Sequence, residues 1–198
     1  MRTPVQGTTK MPTFRPLTLK NWPDLVTLFG PRGACGGCWC MAWRLKHAVF
    51  VKRQGASAKR AFRRIVASGA PTGVLAYVGK EPVGWCAVAP RTVYLRLEGS
   101  RVLRPLDDQP VWSVTCFFVA RPYRRSGLTS QLLGAAVEYA RKRGAKIVEG
   151  YPQDLRKDLP DAFVWTGLVS AFQKAGFKEV ARRSPTRPVM RYSVVAES

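Results

Sequence analysis

Acidic residues are scarce: 12 Asp and Glu stand against 33 Lys and Arg, a formal net charge of +21 over 198 residues. A reaction that needs a carboxylate base therefore has few candidates, and each can be screened. Histidine is scarcer still. His47 is the only one, and it reads more simply as a surface or packed residue than as a catalyst. No apolar run approaches the ~20 residues of a membrane-spanning helix, and the first dozen residues lack the apolar stretch of a secretory signal. The chain is accordingly read as cytoplasmic, with residues 1–12 a flexible tail and 13–198 one domain. Internal repeats and a clear linker are both missing.

Of the five cysteines, only Cys35 and Cys38 have the Cys-x-x-Cys spacing. With Cys40 and His47 they could complete four zinc ligands. A second such pair is missing, and Cys38-x-Cys40 is tight for one tetrahedral ion, so no metal is expected. A disulfide is disfavoured in a reducing cytosol. Gly33 to Arg44 (GACGGCWCMAWR) reads instead as a Gly- and Trp-rich loop carrying small buried thiols.

Positive charge is what the sequence has in excess. It permits nucleic acid, an anionic surface or an anionic small molecule as partner. The basic residues are scattered and not gathered in one arm, so nucleic acid is not favoured.

Val111 to Val119 is apolar, with β-branched and aromatic residues at most positions, as suits a buried strand. Ala120 to Ser126 is a short loop with one Pro and three arginines. From Gly127 the period changes: Leu128, Leu132, Ala136 and Ala140, flanked by Leu133 and Val137, form one face of an amphipathic helix. Arg141 to Arg143 and Gly144 suit its end. The first N–H groups of such a helix have no internal partner, and a Gly lets a ligand approach them, so this turn suits a phosphate. Lys146 to Tyr151 is a further strand, parallel to Val111–Val119 across a right-handed helical crossover.

Around this unit, Phe14 to Lys20 reads as an edge strand broken by Pro16. Asn21 reads as the N-cap of a helix reaching about Phe29. Ala56 to Ser68 is a helix with Ala61, Ile65 and Val66 on its apolar face. Gly73–Gly79 and Pro82–Ala89 form a hairpin. Arg91 to Pro110 reads as a polar surface loop, and Gln153 to Ala162 as another loop. Trp165 to Lys174 reads as a helix, and Lys178–Arg183 and Val189–Val194 as the last strands.

The sequence of strand, basic Gly turn and long helix resembles the GNAT superfamily of N-acyltransferases. Its acyl-CoA signature is Arg/Gln-x-x-Gly-x-Gly/Ala, which Arg124 and Gly127 match; Thr129 stands where Gly or Ala is usual. The resemblance implies an α/β (α+β) fold with a mostly antiparallel sheet of about six to seven strands, flanked by helices and holding one splayed parallel pair. It implies acetyl-CoA as donor and a small-molecule or peptide amine as acceptor, in a monomer or homodimer. Phe117, Phe118 and Val119 would pair with the pantetheine arm, and Arg124, Arg125, Ser126, Gly127, Leu128, Thr129 and Ser130 would hold the pyrophosphate. The oxyanion donor would be the backbone N–H of Phe118 or Val119. Trp39, Met41 and Trp43 would line the acceptor pocket, plain core packing being the alternative.

Two catalytic side chains of the family are replaced. Ser113 stands where some members carry a Glu base, and Phe172 where the usual Tyr acid sits. Among the few acids, Glu149 is the candidate base, since burial in an apolar strand would raise its pKa; the alternative is a strand Glu paired with an arginine. Asp154 is a weaker candidate. Tyr151 or Ser170 could replace the missing acid. Cys116 reads as a core thiol in preference to an acyl-Cys nucleophile. The expected activity is acetyl transfer to a primary amine by direct attack in a ternary complex. The alternatives are a catalytically degenerate CoA-binding protein, a basic nucleic-acid-binding protein, and a zinc-stabilised interaction module.

Overall fold

A computed structural model describes residues 11–154 and 165–194. Most of the expected N-terminal tail, and most of the loop expected from Gln153 to Ala162, lie outside the described residues.

Seven strands form one sheet in the order β1-β2-β3-β4-β5-β7-β6. They are β1 (Thr13–Pro16), β2 (Gly73–Val78), β3 (Glu81–Pro90), β4 (Trp112–Val119), β5 (Ile147–Gly150), β6 (Lys178–Arg182) and β7 (Pro188–Ser193). Every pairing is antiparallel except that of β4 with β5. The helices are α1 (Trp22–Phe29), α2 (His47–Lys52), α3 (Ala56–Ala67), α4 (Leu95–Glu98), α5 (Leu128–Arg141) and α6 (Val169–Lys174). The architecture is thus mixed α/β, as the sequence implies.

Alternation along the strands builds the two faces. Val74, Ala76, Cys86 and Val88 turn to one side, where Leu128, Leu132, Leu133, Ala136 and Ala140 of α5 cover them. Leu75, Tyr77, Trp85 and Ala87 turn to the other, beneath α1, α3 and the Gly/Trp loop. The apolar face expected for α5 is therefore the one it buries. That of α3 is rotated: Ala58, Phe62 and Val66 are buried, because the Phe62 ring packs between Trp22 and Trp85.

Asn21 precedes α1 but makes no side-chain cap. Its Oδ1 accepts from the Thr18 N–H at 2.7 Å, and its Nδ2 donates to Pro16 O at 3.0 Å. It closes the β1–α1 turn instead of capping the helix. Arg91 to Pro110 is not a plain surface loop. A 3-10 turn at Arg91–Val93 and α4 carry Arg91, Tyr94 and Leu97 into a small core with Tyr151 and Val189. One charged and one phenolic side chain among these buried positions hide the apolar pattern.

β4 and β5 pair only over Trp112–Val114 and Val148–Gly150. Beyond Val114, β4 continues for five residues with no β5 beside it. The strands splay, and this gap locates the site.

Candidate functional site

A cleft of about 860 Å³ opens along the free edge of β4. One end is the turn between β4 and α5. There Arg125 and Gly127 adopt left-handed backbone, with φ of 60° and 82°. Gly127 takes the N-cap position of α5 with no side-chain cap, so the first amides of the helix are left for a ligand. Ser126 Oγ donates to Tyr123 O at 2.7 Å, and Arg124 Nε donates to Val119 O at 3.1 Å, which folds the turn onto the strand end. Phe117, Phe118, Val119, Arg124, Arg125, Gly127, Leu128, Thr129 and Ser130 all line the cleft; Ser126 does not.

The strand pattern separates the two candidate amides. Phe117 N–H donates to Trp165 O at 2.7 Å on the splayed side, while Ala120 N–H donates to Val83 O at 2.9 Å on the β3 side. Alternation then points the Val119 N–H into the gap and the Phe118 N–H toward β3.

Lys174 was not legible as a site residue. Its Nζ lies 4.0 Å from where a Cβ on Gly127 would stand, and it lines the cleft. A cation in the last turn of α6 ordinarily answers the negative helix end. Only the tertiary fold, with Ser130 Oγ donating to Ala171 O at 3.1 Å, brings α6 against the start of α5.

The other end of the cleft is formed by the Gly/Trp loop and α4. Trp43 reaches it; Trp39 and Met41 do not, being buried in the core under α1 and α3. Trp39 stacks on Trp22 with centroids 6.2 Å apart and packs on Phe29 at 5.6 Å. Cys35, Cys38, Cys40 and Cys116 also border the cleft. Among the described residues, no group of three or more Cys, His, Asp or Glu is placed to hold a metal ion, and His47 is an exposed residue at the start of α2.

Three thiols, Cys38, Cys86 and Cys116, are held in the protonated form. Burial pushes Cys38 up to about 11 and Cys86 well above its ordinary value. Cys116 is raised by its hydrogen bond with Cys40 and then by burial. Cys40 Sγ itself accepts from Trp85 Nε1 at 3.0 Å. Since the thiolate is the reactive form, iodoacetamide at pH 8 should label exposed Cys35 well before Cys38, Cys86 and Cys116. Peptide mass spectrometry reads the order, and early labelling of Cys116 would contradict this account.

Ser113, Glu149 and Tyr151 meet, but outside the cleft lining. Ser113 Oγ and Tyr151 OH are 2.8 Å apart. Tyr151 OH donates to Glu149 Oε1 at 2.7 Å. Arg91 Nη1 reaches both Tyr151 OH at 2.6 Å and Glu149 Oε1 at 3.2 Å, and Arg191 Nε donates to Glu149 Oε2 at 2.8 Å. All three predicted residues are buried, and burial raises the Tyr151 phenol well above its usual range. Asp154 pairs with Arg182 at 2.6 Å. Phe172 is buried against Phe117 and Phe177, and a Cβ on Gly150 would collide with its ring.

The family model described as the acetyltransferase (GNAT) family matches residues 39–154. No curated protein matches the chain in sequence. Among solved structures, an acetyltransferase of the GNAT family from Streptococcus pneumoniae is 14% identical, with a TM-score of 0.53, covering 93% of this chain and 100% of that one. Arabidopsis thaliana NAA60, solved in complex with acetyl-CoA, is 13% identical, with a TM-score of 0.52 and coverage of 93% and 100%. The PaiA N-acetyltransferase of Thermoplasma acidophilum, solved with coenzyme A, is 12% identical, with a TM-score of 0.52 and coverage of 93% and 99%. At such identities the likeness establishes the fold.

Proposed function

Because the chain belongs to the GNAT acetyltransferase family, we propose that it transfers an acetyl group from acetyl-CoA to a primary amine by direct attack in a ternary complex. The observation that carries this reading is the cleft that joins an uncapped, Gly127-started helix to the edge of β4 that β5 leaves beyond Val114. The pyrophosphate binds the first amides of α5, with Arg124, Arg125 and Lys174 around it. The pantetheine arm lies along Phe117 to Val119. The Val119 N–H donates to the thioester oxygen as charge develops there.

The neutral amine attacks the carbonyl carbon, the C–N bond forms and the C–S bond breaks. CoA leaves as a thiolate, and the proton of the new ammonium passes to solvent. No tyrosine assists at Phe172, and a thiol pKa near 8.5 makes an unaided thiolate a workable leaving group. The raised pKa of Cys116 supports direct attack over an acyl-Cys intermediate. The two arginines on Glu149 support a bracing role for it, with Ser113 and Tyr151, behind the splay.

Calorimetric titration with acetyl-CoA, CoA and ATP tests the donor site, and mass spectrometry of amine panels tests transfer. Saturable acetyl-CoA binding is expected, weakened about tenfold by Lys174→Ala through loss of a charged contact, with ATP much weaker. Equal binding of every polyanion would overturn the reading. No helix among the described residues is long and apolar enough to cross a membrane.

A further inference from the structure

We infer that the amine acceptor carries an anionic group, most simply a carboxylate on an apolar or aromatic body, and that Arg96 is the residue that binds it; this rests on the acyl transfer proposed above. The cleft has two ends. Val119 and the phosphate turn lie at one, Thr115 at the other, so about four strand residues, roughly 13 Å, separate them. Beyond the residues of that turn the cleft is lined by Phe50, Trp43, Trp165 and the cysteines, with Phe29 against Phe118 and Arg96 as the charged group. These walls fit an apolar body.

Arg96 is held in place by described residues, none of them anionic. Its backbone N–H donates to Trp43 O at 3.1 Å. Its Nη1 donates to Ala42 O at 3.2 Å, and its guanidinium lies 5.3 Å from the centroid of the Trp43 ring. Trp43 in turn packs on Trp165 at 5.7 Å. A carbonyl and an aromatic face fix the guanidinium without neutralising it. Among the described residues no carboxylate pairs with it, although this protein pairs its arginines with acids elsewhere.

The acids that could have offset Arg96 are committed. Glu98, two residues along α4, pairs with Arg91 at 3.0 Å, and Asp107 pairs with Arg191 at 2.6 Å. No Asp or Glu is among the described residues that line the cleft. Arg124, Arg125 and Lys174 add positive charge at the donor end. Along the described lining a polyamine would therefore meet repulsion. A carboxylate would meet an oriented, half-buried guanidinium fork whose remaining N–H groups can donate to it.

Matched acceptors separate charge from shape. Tri- and tetrapeptides of leucine and phenylalanine, whose extended chains set the amine and the carboxylate roughly 10–13 Å apart, are each compared with the corresponding C-terminal amide, and spermidine serves as the polycation. The amides carry the more easily deprotonated amine, so reactivity alone favours them and charge recognition must overcome that advantage. Wild-type protein should acetylate at least one free acid about tenfold more efficiently, in kcat/KM, than its amide. Arg96→Gln should bring that ratio to about one and Arg96→Lys should keep part of it, while acetyl-CoA affinity by calorimetry and Tm stay as in wild type. A ratio of one in wild type, a preference for spermidine, a ratio unmoved by Arg96→Gln, or donor binding with no transfer to any of these amines would overturn the inference. Failure of acetyl-CoA to bind would instead overturn the proposed reaction itself.

Discussion

Gly127→Glu should weaken acetyl-CoA binding by at least about a hundredfold while the protein stays folded. The reason is positional. Gly127 sits at φ 82° immediately before α5, so a side chain there stands at the mouth of the helix N-terminus. A carboxylate on it would take the free amides and the Lys174 ammonium, which lies 4.0 Å from the Cβ position, and would repel the incoming pyrophosphate. Losing two charge-assisted hydrogen bonds of about 1.5–3 kcal/mol each accounts for a hundredfold or more. Gly127→Ala isolates the backbone cost. It forces a Cβ into left-handed conformation at about 1–2 kcal/mol, so it should lower Tm by a few degrees while leaving most of the affinity. Calorimetry and thermal melts read both variants. Wild-type affinity in Gly127→Glu would mean that the phosphates bind elsewhere.

That prediction could be framed from sequence alone, and the reason is local. The strand, the turn and the helix from Val111 to Arg143 are consecutive, and each announces itself by its own hydrophobic period and turn chemistry. The hairpin of β2 and β3 is legible on the same grounds. What was hidden depends on contacts distant in sequence. Lys174 is one of 33 cations, and nothing in its own neighbourhood says that α6 ends beside Gly127. Arg91 looked like the start of a surface loop because a buried arginine imitates an exposed one until its partners are known. Trp39 and Trp43 belong to the same short loop, yet left-handed backbone at Trp39 and Cys40, with φ of 42° and 57°, sends one ring under α1 and leaves the other at the cleft. Periodicity carries no information where the chain follows neither period.

The residues proposed from sequence as catalytic raise the second large effect. Glu149→Ala should destabilise the fold by about 3–5 kcal/mol, the usual cost of removing one partner from a buried ion pair. Glu149 is 2% exposed and pairs with Arg91 and Arg191, whose side chains are 7% and 13% exposed. Arg91 is further held by Glu98 Oε1 at 3.0 Å and by the carbonyls of Leu97 and Leu103 at 3.3 and 2.6 Å. Without Glu149 its charge stays buried with one half-exposed carboxylate and three oxygen acceptors to share. Glu149 stands opposite Ser113 on β4 and Arg191 on β7, so the network ties together the three strands at the root of the splay. Glu149→Gln keeps an acceptor for Tyr151 and should cost less. The pair Glu149→Leu with Arg91→Met should recover much of the loss, since both buried charges go together, while Glu98 is half-exposed to water and Arg191 keeps Asp107. Denaturant unfolding measures these differences. A general base behaves otherwise: Glu149→Gln would then unfold like wild type, lose more than a hundredfold in kcat, and lose the acidic limb of the pH–rate profile. That outcome would return Glu149 to the reaction and leave the lack of a carboxylate among the described residues of the cleft without its consequence for the acceptor.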